Sequence, residues 1–333
     1  MSYQPRNTLI TGAAGFIGCN FVRYWLEQYP EIRIVSLDAL TYAGSRANLA
    51  DLPDPARHTF VHGDITDRAL VDRLLYEHDI DTLVHFAAES HVDRSISGPA
   101  AFITTNIVGT FTLLEAARDY WRESQRPLHV HHISTDEVYG TLGSDDPAFS
   151  ETTAYAPNSP YSASKAGSDH LVRAYFHTYG LPVTTSNCSN NYGPFQHGEK
   201  FIPTVIRSCF NQHPIPVYGD GSNIRDWLYV NDHCTGIDAV IRQGRRGETY
   251  NIGGANEWAN IDIVRHICKL MDQRLPAQAP HQRLITFVTD RPGHDWRYAI
   301  NAEKISNELN WRPAETFTTG IAKTVDWILE RLR

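Results

Sequence analysis

A short apolar run, Thr8-Leu9-Ile10, ends in Thr11-Gly12-Ala13-Ala14-Gly15-Phe16-Ile17-Gly18 and leads straight into the helical stretch FIGCNFVRYWLEQYP. Few local patterns restrict a fold as much. One glycine permits a tight strand-to-helix turn, a second lets backbone approach a pyrophosphate, and a third lets the helix pack on its strand. The helix N-terminus then offers unbonded N–H groups and a partial positive charge to the phosphates. A glycine triplet alone is a weak signal. Between a strand and a helix, at the start of a βαβ pattern, it has the context the motif requires.

That pattern continues. RIVSLD, TFVHGDI, DTLVHFAA and LHVHHIST are short apolar runs, separated by the helical stretches ALVDRLLYEH and NIVGTFTLLEAARDYW. Strands without polar alternation, spaced by helices, predict a parallel sheet covered on both faces, the doubly wound α/β architecture. Asp38 ends the second strand where a carboxylate grips the adenosine ribose hydroxyls, and a carboxylate there repels a 2′-phosphate, so NAD is expected over NADP. Asp64-Ile65 and Phe86-Ala87-Ala88-Glu89-Ser90 end two further strands on the same edge, where ligands bind such sheets. After residue 189 the chain becomes richer in Pro, Gly and aromatics. A dinucleotide-binding domain is expected over 1–189, with segments around 225–255 returning to it, and a smaller mixed α/β substrate-binding domain over 190–333.

Composition removes several alternatives. A net charge of −8 argues against nucleic acid, which needs a basic face; the densest basic run, RQGRRGE at 242–248, reads as a solvated loop. No stretch holds the roughly 18 uninterrupted apolar residues of a membrane span, and MSYQPRNTLITG enters a strand with no leader segment, so no membrane association is expected. Five isolated cysteines without CxxC spacing fit reduced thiols in a cytoplasm. His129-Val130-His131-His132 invites a metal reading, but on a strand His129 and His131 share one face and His132 takes the other, with no acidic or thiol ligand nearby. No metal is expected.

The chemistry is concentrated in two places. In HHISTDEVYG, residues 131–140, a strand finishes with Asp136 and Glu137 side by side. Burying either costs several kcal/mol in order of magnitude unless it is paired or protonated. The pair is either a solvated loop start or a general acid beside a general base. In PYSASKAGSDHLVRAY, Tyr161 and Lys165 lie one helical turn apart on one face. A nearby ammonium stabilises the phenolate and lowers the tyrosine pKa from about 10, which suits removal of a hydroxyl proton while hydride leaves the same carbon.

With these residues in hand, the chain resembles the extended short-chain dehydrogenase/reductase family, whose fold is the Rossmann fold, and within it the dTDP-glucose 4,6-dehydratases. The resemblance covers nearly the whole chain. Its markers are TGAAGFIGCNFVRY, LDALTYAG, HFAAESHVDRSI, STDEVYG, SPYSASKAGSDHLVRAY, NCSNNYGPFQHGEKFIP, PVYGDGSNIRDWLYV, NIGGANE and DRPGHDWRYAI. Relatives that epimerise at C4 share the Tyr/Lys pair but carry a small or hydroxyl residue in place of Asp136-Glu137, so the carboxylates look like a dehydratase's additional equipment.

The resemblance implies a reaction cycle on NAD. Tyr161 removes the C4 hydroxyl proton, Thr135 orients that hydroxyl, Glu137 abstracts the C5 proton, and Asp136 donates a proton as the C6 hydroxyl leaves. It also implies that Leu40, Thr41, Thr105 and Asn191 join the cofactor site. Ser90, Thr135, Asn190, Lys200, Phe201, Pro216, Tyr218, Arg225, Asn260, Arg291 and His294 line the sugar-nucleotide site. Phe201 replaces a common leucine and narrows the base pocket. A homodimer is implied, and the helical stretches around residues 100–122 and 162–180 carry enough apolar side chains for its interface. Arg225 suits a diphosphate by its bidentate fork; its alternative role is a surface ion pair with Asp226 or Asp220. The alternatives in function are a C4 epimerase of the same fold, a 4,6-dehydratase for another nucleotide sugar, and an idle NAD-binding scaffold. One geometric condition follows: neighbours on a regular strand point to opposite faces, so the strand must end or bulge between Thr135 and Glu137 for both carboxylates to reach one sugar.

Overall fold

The computed structural model describes residues 3–290 and 294–333. In chain order its strands begin with β1 (Asn7–Thr11), β2 (Arg33–Asp38), β3 (His58–His62), β4 (Thr82–His85), β5 (His129–Thr135) and β6 (Val183–Cys188). They continue with β7 (Asn190–Tyr192), β8 (Ile215–Tyr218), β9 (Ile224–Tyr229), β10 (Thr249–Ile252), β11 (Glu257–Ala259) and β12 (Ile285–Val288). Seven form one sheet in the order β10-β6-β5-β4-β1-β2-β3, and every pairing in it is parallel.

Central β4 and β5 are buried at every position, whereas edge strand β3 is half-buried. This is the burial that unalternating apolar strands dictate. Helices Phe16–Gln28 and Val230–Gln243 pack together on one face around Phe21, Trp25, Ile237 and Ile241. Arg68–Glu77, Thr110–Ser124 and Pro160–Tyr179 cover the other face around Leu74, Leu113, Tyr120 and Val172.

The chain leaves this sheet and comes back. Val230–Gln243 rejoins its helical layer, and β10 pairs beside β6. Ile305, Leu309 and Trp311 also pack into that core, a second return from the C-terminal part that composition does not signal. The smaller layer holds the three-stranded sheet β11-β9-β7 and the parallel pair β12-β8. Helices Phe201–Asn211, Asn260–Arg274 and Phe317–Leu332 close it around Ile206, Trp227, Ile267 and Phe317. The last of these begins at a capping box in which Thr316 and Thr319 satisfy each other's backbone N–H groups.

Helical residues Ala100–Ser124 are long and apolar enough, by length and composition, to cross a membrane, yet half of that stretch is buried within the protein. It includes a wide π-type segment over Ile103–Gly109.

Candidate active site

The floor of the main cleft is the glycine turn. Gly12 sits at φ +69°, and a Cβ there would lie 2.6 Å from the Ala87 nitrogen; one on Gly18 would lie 2.3 Å from the Gly12 carbonyl oxygen. Larger residues would push the turn off its strand or the helix off the turn. A Cβ on Gly15 would meet only the Gly12 oxygen, at 3.3 Å, so its other side is open for close approach by a ligand. Asp38 is buried at the end of β2. Its Oδ2 accepts from the Ala14 N–H and its Oδ1 from the Leu40 N–H, each at 2.8 Å. The Ala14 and Leu40 N–H groups therefore anchor the carboxylate through backbone, and lone pairs remain on both oxygens for ribose hydroxyls. This cradle fits a dinucleotide.

Gly12, Gly15, Phe16, Ile17, Gly18, Asp38, Thr41, Asp64, Ile65, Phe86, Ala87, Ala88, Ser90, Thr105, Tyr161, Lys165 and Asn191 all line the cleft. Leu40 does not join them. It takes φ +51°, its N–H is spent on Asp38, and its side chain packs toward the core beneath the glycine turn.

At the carboxyl end of β5 the ladder pairs Thr135 with Cys188 and then stops. Asp136–Tyr139 turn into a 3₁₀ helix capped by Thr135, whose hydroxyl accepts from the Glu137 N–H at 3.3 Å and donates to Asp136 Oδ1 at 3.3 Å. The strand thus ends between Thr135 and Asp136, so the condition set by strand geometry is met. Gly140 closes the turn at φ +97°, where a Cβ would meet the Ala156 carbonyl oxygen at 2.6 Å. Asp136 is buried, and among the described residues its Oδ2 has no partner. Burial first, then the charges of Glu137 and Asp226, push its carboxyl well above the usual range, against the opposing pull of Arg225.

Tyr161 and Lys165 project from the first turns of helix Pro160–Tyr179, which opens with a Ser159–Ser162 capping box. Burial, then Glu137, raise the Tyr161 hydroxyl well above its ordinary value, while the Thr135 hydroxyl lowers it. Lys165 donates to the Ile133 carbonyl at 2.7 Å, and burial lowers its pKa. Thr135, Asp136, Glu137, Tyr161 and Lys165 all face the cleft together.

The expected substrate residues fall into two groups. Ser90, Thr135, Asn190 and Lys200 line the same cleft, and Lys200 Nζ donates to the Ser90 carbonyl at 3.1 Å. Pro216 and Tyr218 share the exposed face of β8, where Tyr218 meets the His294 ring edge-on at 6.3 Å. His294 Nδ1 lies 2.7 Å from Asp290 Oδ1. Phe201 and Asn260 open their respective helices. Arg291 lies outside the described residues.

Arg225 is not seen in an ion pair with Asp226 or Asp220. It is buried, stacks 4.3 Å from the Tyr298 ring centroid, and donates to the Ile224, Asp295 and Trp296 carbonyls. Asp226 instead accepts from the Gly254 and Asn256 N–H groups, and Asp220 from Ser222. Sequence reasoning missed Tyr42, Ser134, Cys188, Gln196 and His197, which also line the cleft. Cys188 was findable as the last residue of a strand beside β5. Among the described residues no histidine, cysteine and carboxylate cluster is arranged to hold a metal.

The parallel sheet, the glycine turn and the Tyr161–Lys165 helix define a dinucleotide-dependent enzyme of the extended short-chain dehydrogenase/reductase class. Comparison with known proteins narrows this. The family described as GDP-mannose 4,6 dehydratase matches residues 9–324. The dTDP-glucose 4,6-dehydratase of Xanthomonas campestris pv. campestris is 60% identical, the match covering 96% of this chain and 92% of that one. The dTDP-glucose 4,6-dehydratase 1 of Escherichia coli K12 is 54% identical over 98% of this chain and 93% of its own. DesIV, a dTDP-glucose 4,6-dehydratase of Streptomyces venezuelae solved with NAD bound, superposes with a TM-score of 0.90 at 46% identity, covering 97% of both chains. The chain belongs to the dTDP-glucose 4,6-dehydratase family of hydro-lyases.

Proposed function

We propose that the chain converts dTDP-glucose to dTDP-4-keto-6-deoxyglucose with NAD as a cofactor that ends the cycle as it began. The observation that carries this reading is the end of β5. There a buried carboxyl, its pKa raised by burial and by the neighbouring Glu137, lies beside that second carboxylate and lines one cleft with the Tyr161–Lys165 pair. The cleft lined by Gly12, Gly15, Asp38, Tyr161 and Lys165 would hold NAD, which would supply a hydride acceptor for C4, a hydride donor for C6, and a positive ring that adds to Lys165 in favouring the Tyr161 phenolate.

Each residue then has one task. Thr135 orients the C4 hydroxyl, and Tyr161 takes its proton. The resulting 4-ketone acidifies the C5 proton, which Glu137 removes; when hydride returns to C6, C5 takes up a proton that has exchanged with solvent. Asp136 gives its proton to the departing C6 hydroxyl, which leaves as water. The two carboxyls must occupy opposite protonation states, and close like charges split their pKa values in that direction. Asp38 selects NAD over NADP. The 1–189 unit with its returning segments holds the cofactor, and residues 190–333 mainly hold the sugar nucleotide. Lys200, Tyr218, Arg291 and His294 serve its diphosphate and base.

The enzyme works in the cytoplasm, where its five buried cysteines remain thiols. It acts as a homodimer. Exposed Ile96, Ile103, Val108 and Phe111 cluster on and beside helical residues 100–124 and supply the apolar contact; Phe111→Glu should give monomers in sedimentation velocity.

The deciding experiment is mass spectrometry after incubation with dTDP-glucose in deuterium-enriched water without added reductant. A product lighter by one water and carrying one deuterium, at C5, is expected. An unchanged or merely epimerised sugar would overturn the reading.

A further inference from the structure

We infer that Asp169, held in place by His132, supplies the counter-charge that keeps Lys165 charged in the reacting cleft; this rests on the roles of Tyr161 and Lys165 proposed above. Tyr161, Lys165 and Asp169 recur every fourth residue along helix Pro160–Tyr179, so they share one face. The reaction cycle uses the first two and leaves the third without a task. Yet Asp169 is 5% exposed and carries more specific contacts than either. Its Oδ1 lies 3.0 Å from His132 Nε2, and its Oδ2 accepts from Ser134 Oγ at 2.7 Å and from Tyr155 OH at 3.0 Å. His132 Nε2 lies in turn 3.5 Å from Lys165 Nζ and 3.4 Å from Ser168 Oγ.

A buried ammonium needs a counter-charge, because desolvation alone drives it toward the neutral amine. Lys165 is 4% exposed. Burial lowers its pKa, and Asp169 is the foremost group opposing that fall, ahead of Cys188. A neutral amine would give a phenolate no support. The imidazole between them is kept uncharged by burial and by Lys165. It therefore has one N–H to give; donated from Nε2 to Asp169, it fixes the carboxylate, and the bare Nδ1 requires no donor. Ser134 and Tyr155 hold the other oxygen, so the carboxylate cannot swing away. Asp169 acts through Lys165 rather than on substrate, which makes it a positioning residue.

The pairing gives the reaction a pH signature. Burial raises the Asp169 carboxyl to about 6, while Lys165, Ser134, Tyr155 and His170 pull it down. The groups facing it are His132 and Ser134 from β5, Tyr155 from the preceding loop, and Lys165, Ser168 and His170 from its own helix, with Tyr139 beyond Tyr155. As pH falls through about 6 the carboxylate is neutralised and Lys165 loses its counter-charge, so turnover falls on the acid side.

Two measurements on the NAD-loaded enzyme test this. The first compares kcat and KM for dTDP-glucose across pH in wild type, Asp169→Asn, Asp169→Glu and Tyr155→Phe. Asp169→Asn should lower kcat at neutral pH about tenfold or more with KM within about twofold, and should lose the acidic limb. Asp169→Glu should keep a limb. Tyr155→Phe, which removes one stabilising hydrogen bond, should move the limb to higher pH. The second measurement is ¹⁵N NMR of labelled histidines. One buried histidine should be locked as the Nε2–H tautomer, with signals that titrate near the Asp169 value, and Asp169→Asn should abolish that titration.

Unchanged kcat in Asp169→Asn, or an acidic limb unmoved in both Asp169→Asn and Tyr155→Phe, overturns the inference. If Asp169→Asn fails to fold, Tyr155→Phe and the wild-type NMR titration decide it alone. A wild type that does not turn over would count against the proposed function, while the NMR titration would still judge the Asp169–His132 pair.

Discussion

The two ends of β5 carry equally buried ionisable side chains and use them in opposite ways. At the start, His129 Nε2 lies 2.8 Å from Thr184 Oγ1, and His131 is held on both ring nitrogens, by Thr184 at 2.8 Å and Ser186 at 3.1 Å. Burial drives both imidazoles well below their usual pKa, so they are neutral hydrogen-bonding spacers between β5 and β6. At the other end the ladder has stopped, a like charge adjoins Asp136, and its Oδ2 meets no donor. His131 is 0% exposed and Asp136 2%, so burial does not separate the two ends. Position does, together with matching at His131. His131 has both ring nitrogens matched and lies away from the cleft, whereas Asp136 lines the cleft at the carboxyl edge of the sheet with Oδ2 unmatched among the described residues, poised to exchange a proton; His129 Nδ1 is also unmatched but does not line the cleft.

The largest effect that could break this contrast is Asp136→Asn. Loss of the proton donor should lower kcat by about 10²–10⁴. C4 oxidation does not need it, so reduced cofactor should accumulate on mixing with substrate, seen as near-ultraviolet absorbance. Stability should stay within about 1 kcal/mol of wild type, or improve, because an under-satisfied buried carboxyl has been removed. A variant that loses stability and keeps turnover would place Asp136 with the histidines.

A pH series sharpens the same point. Asp136 acts as the protonated acid and its pKa is raised, so elimination should decline as pH climbs through that raised value. Rates of water loss followed by rapid quench across a pH series check the sign. A decline on the acid side of neutrality alone would assign it to another group.

Much of this was legible in the sequence, for a physical reason. The glycine turn, the strand–helix alternation and the Tyr161–Lys165 spacing depend on residues close in the chain, where steric rules apply directly. The Asp136-Glu137 pair was visible too, and strand geometry stated in advance what would have to happen at Thr135. What stayed hidden needed packing. Asp169 meets His132 across 37 positions, a contact set by how one helix lies on one strand. Arg225 has the composition of an anion clamp, yet its inward turn depends on Tyr298 and on carbonyls some 70 residues away. Leu40 sits inside a cofactor-site motif, but its left-handed backbone points its N–H at Asp38 and its side chain at the core.

At the start of β5 the expected effects are smaller and thermodynamic. His131→Leu keeps the volume but strands the Ser186 hydroxyl and leaves Thr184 with His129 as its remaining imidazole partner, which should cost about 1–3 kcal/mol in urea unfolding, with kcat within about twofold of wild type. The size of that deficit should depend on pH. The folded-state pKa of His131 lies below the unfolded value of about 6.5, so its contribution is fully present above that pH and is lost as pH falls, when only the unfolded chain takes up the proton. Wild type bears this penalty and His131→Leu does not. The deficit should therefore be largest near pH 8 and shrink by about 1.4 kcal/mol one unit below the unfolded pKa. Ser186→Ala, which removes one of the two partners, should cost only about 0.5–1.5 kcal/mol, with the pH dependence retained because the imidazole is still buried neutral. If the His131→Leu deficit were flat across pH, the ring would be charged in the fold, and the contrast between the two ends of the strand would fail at its quiet end.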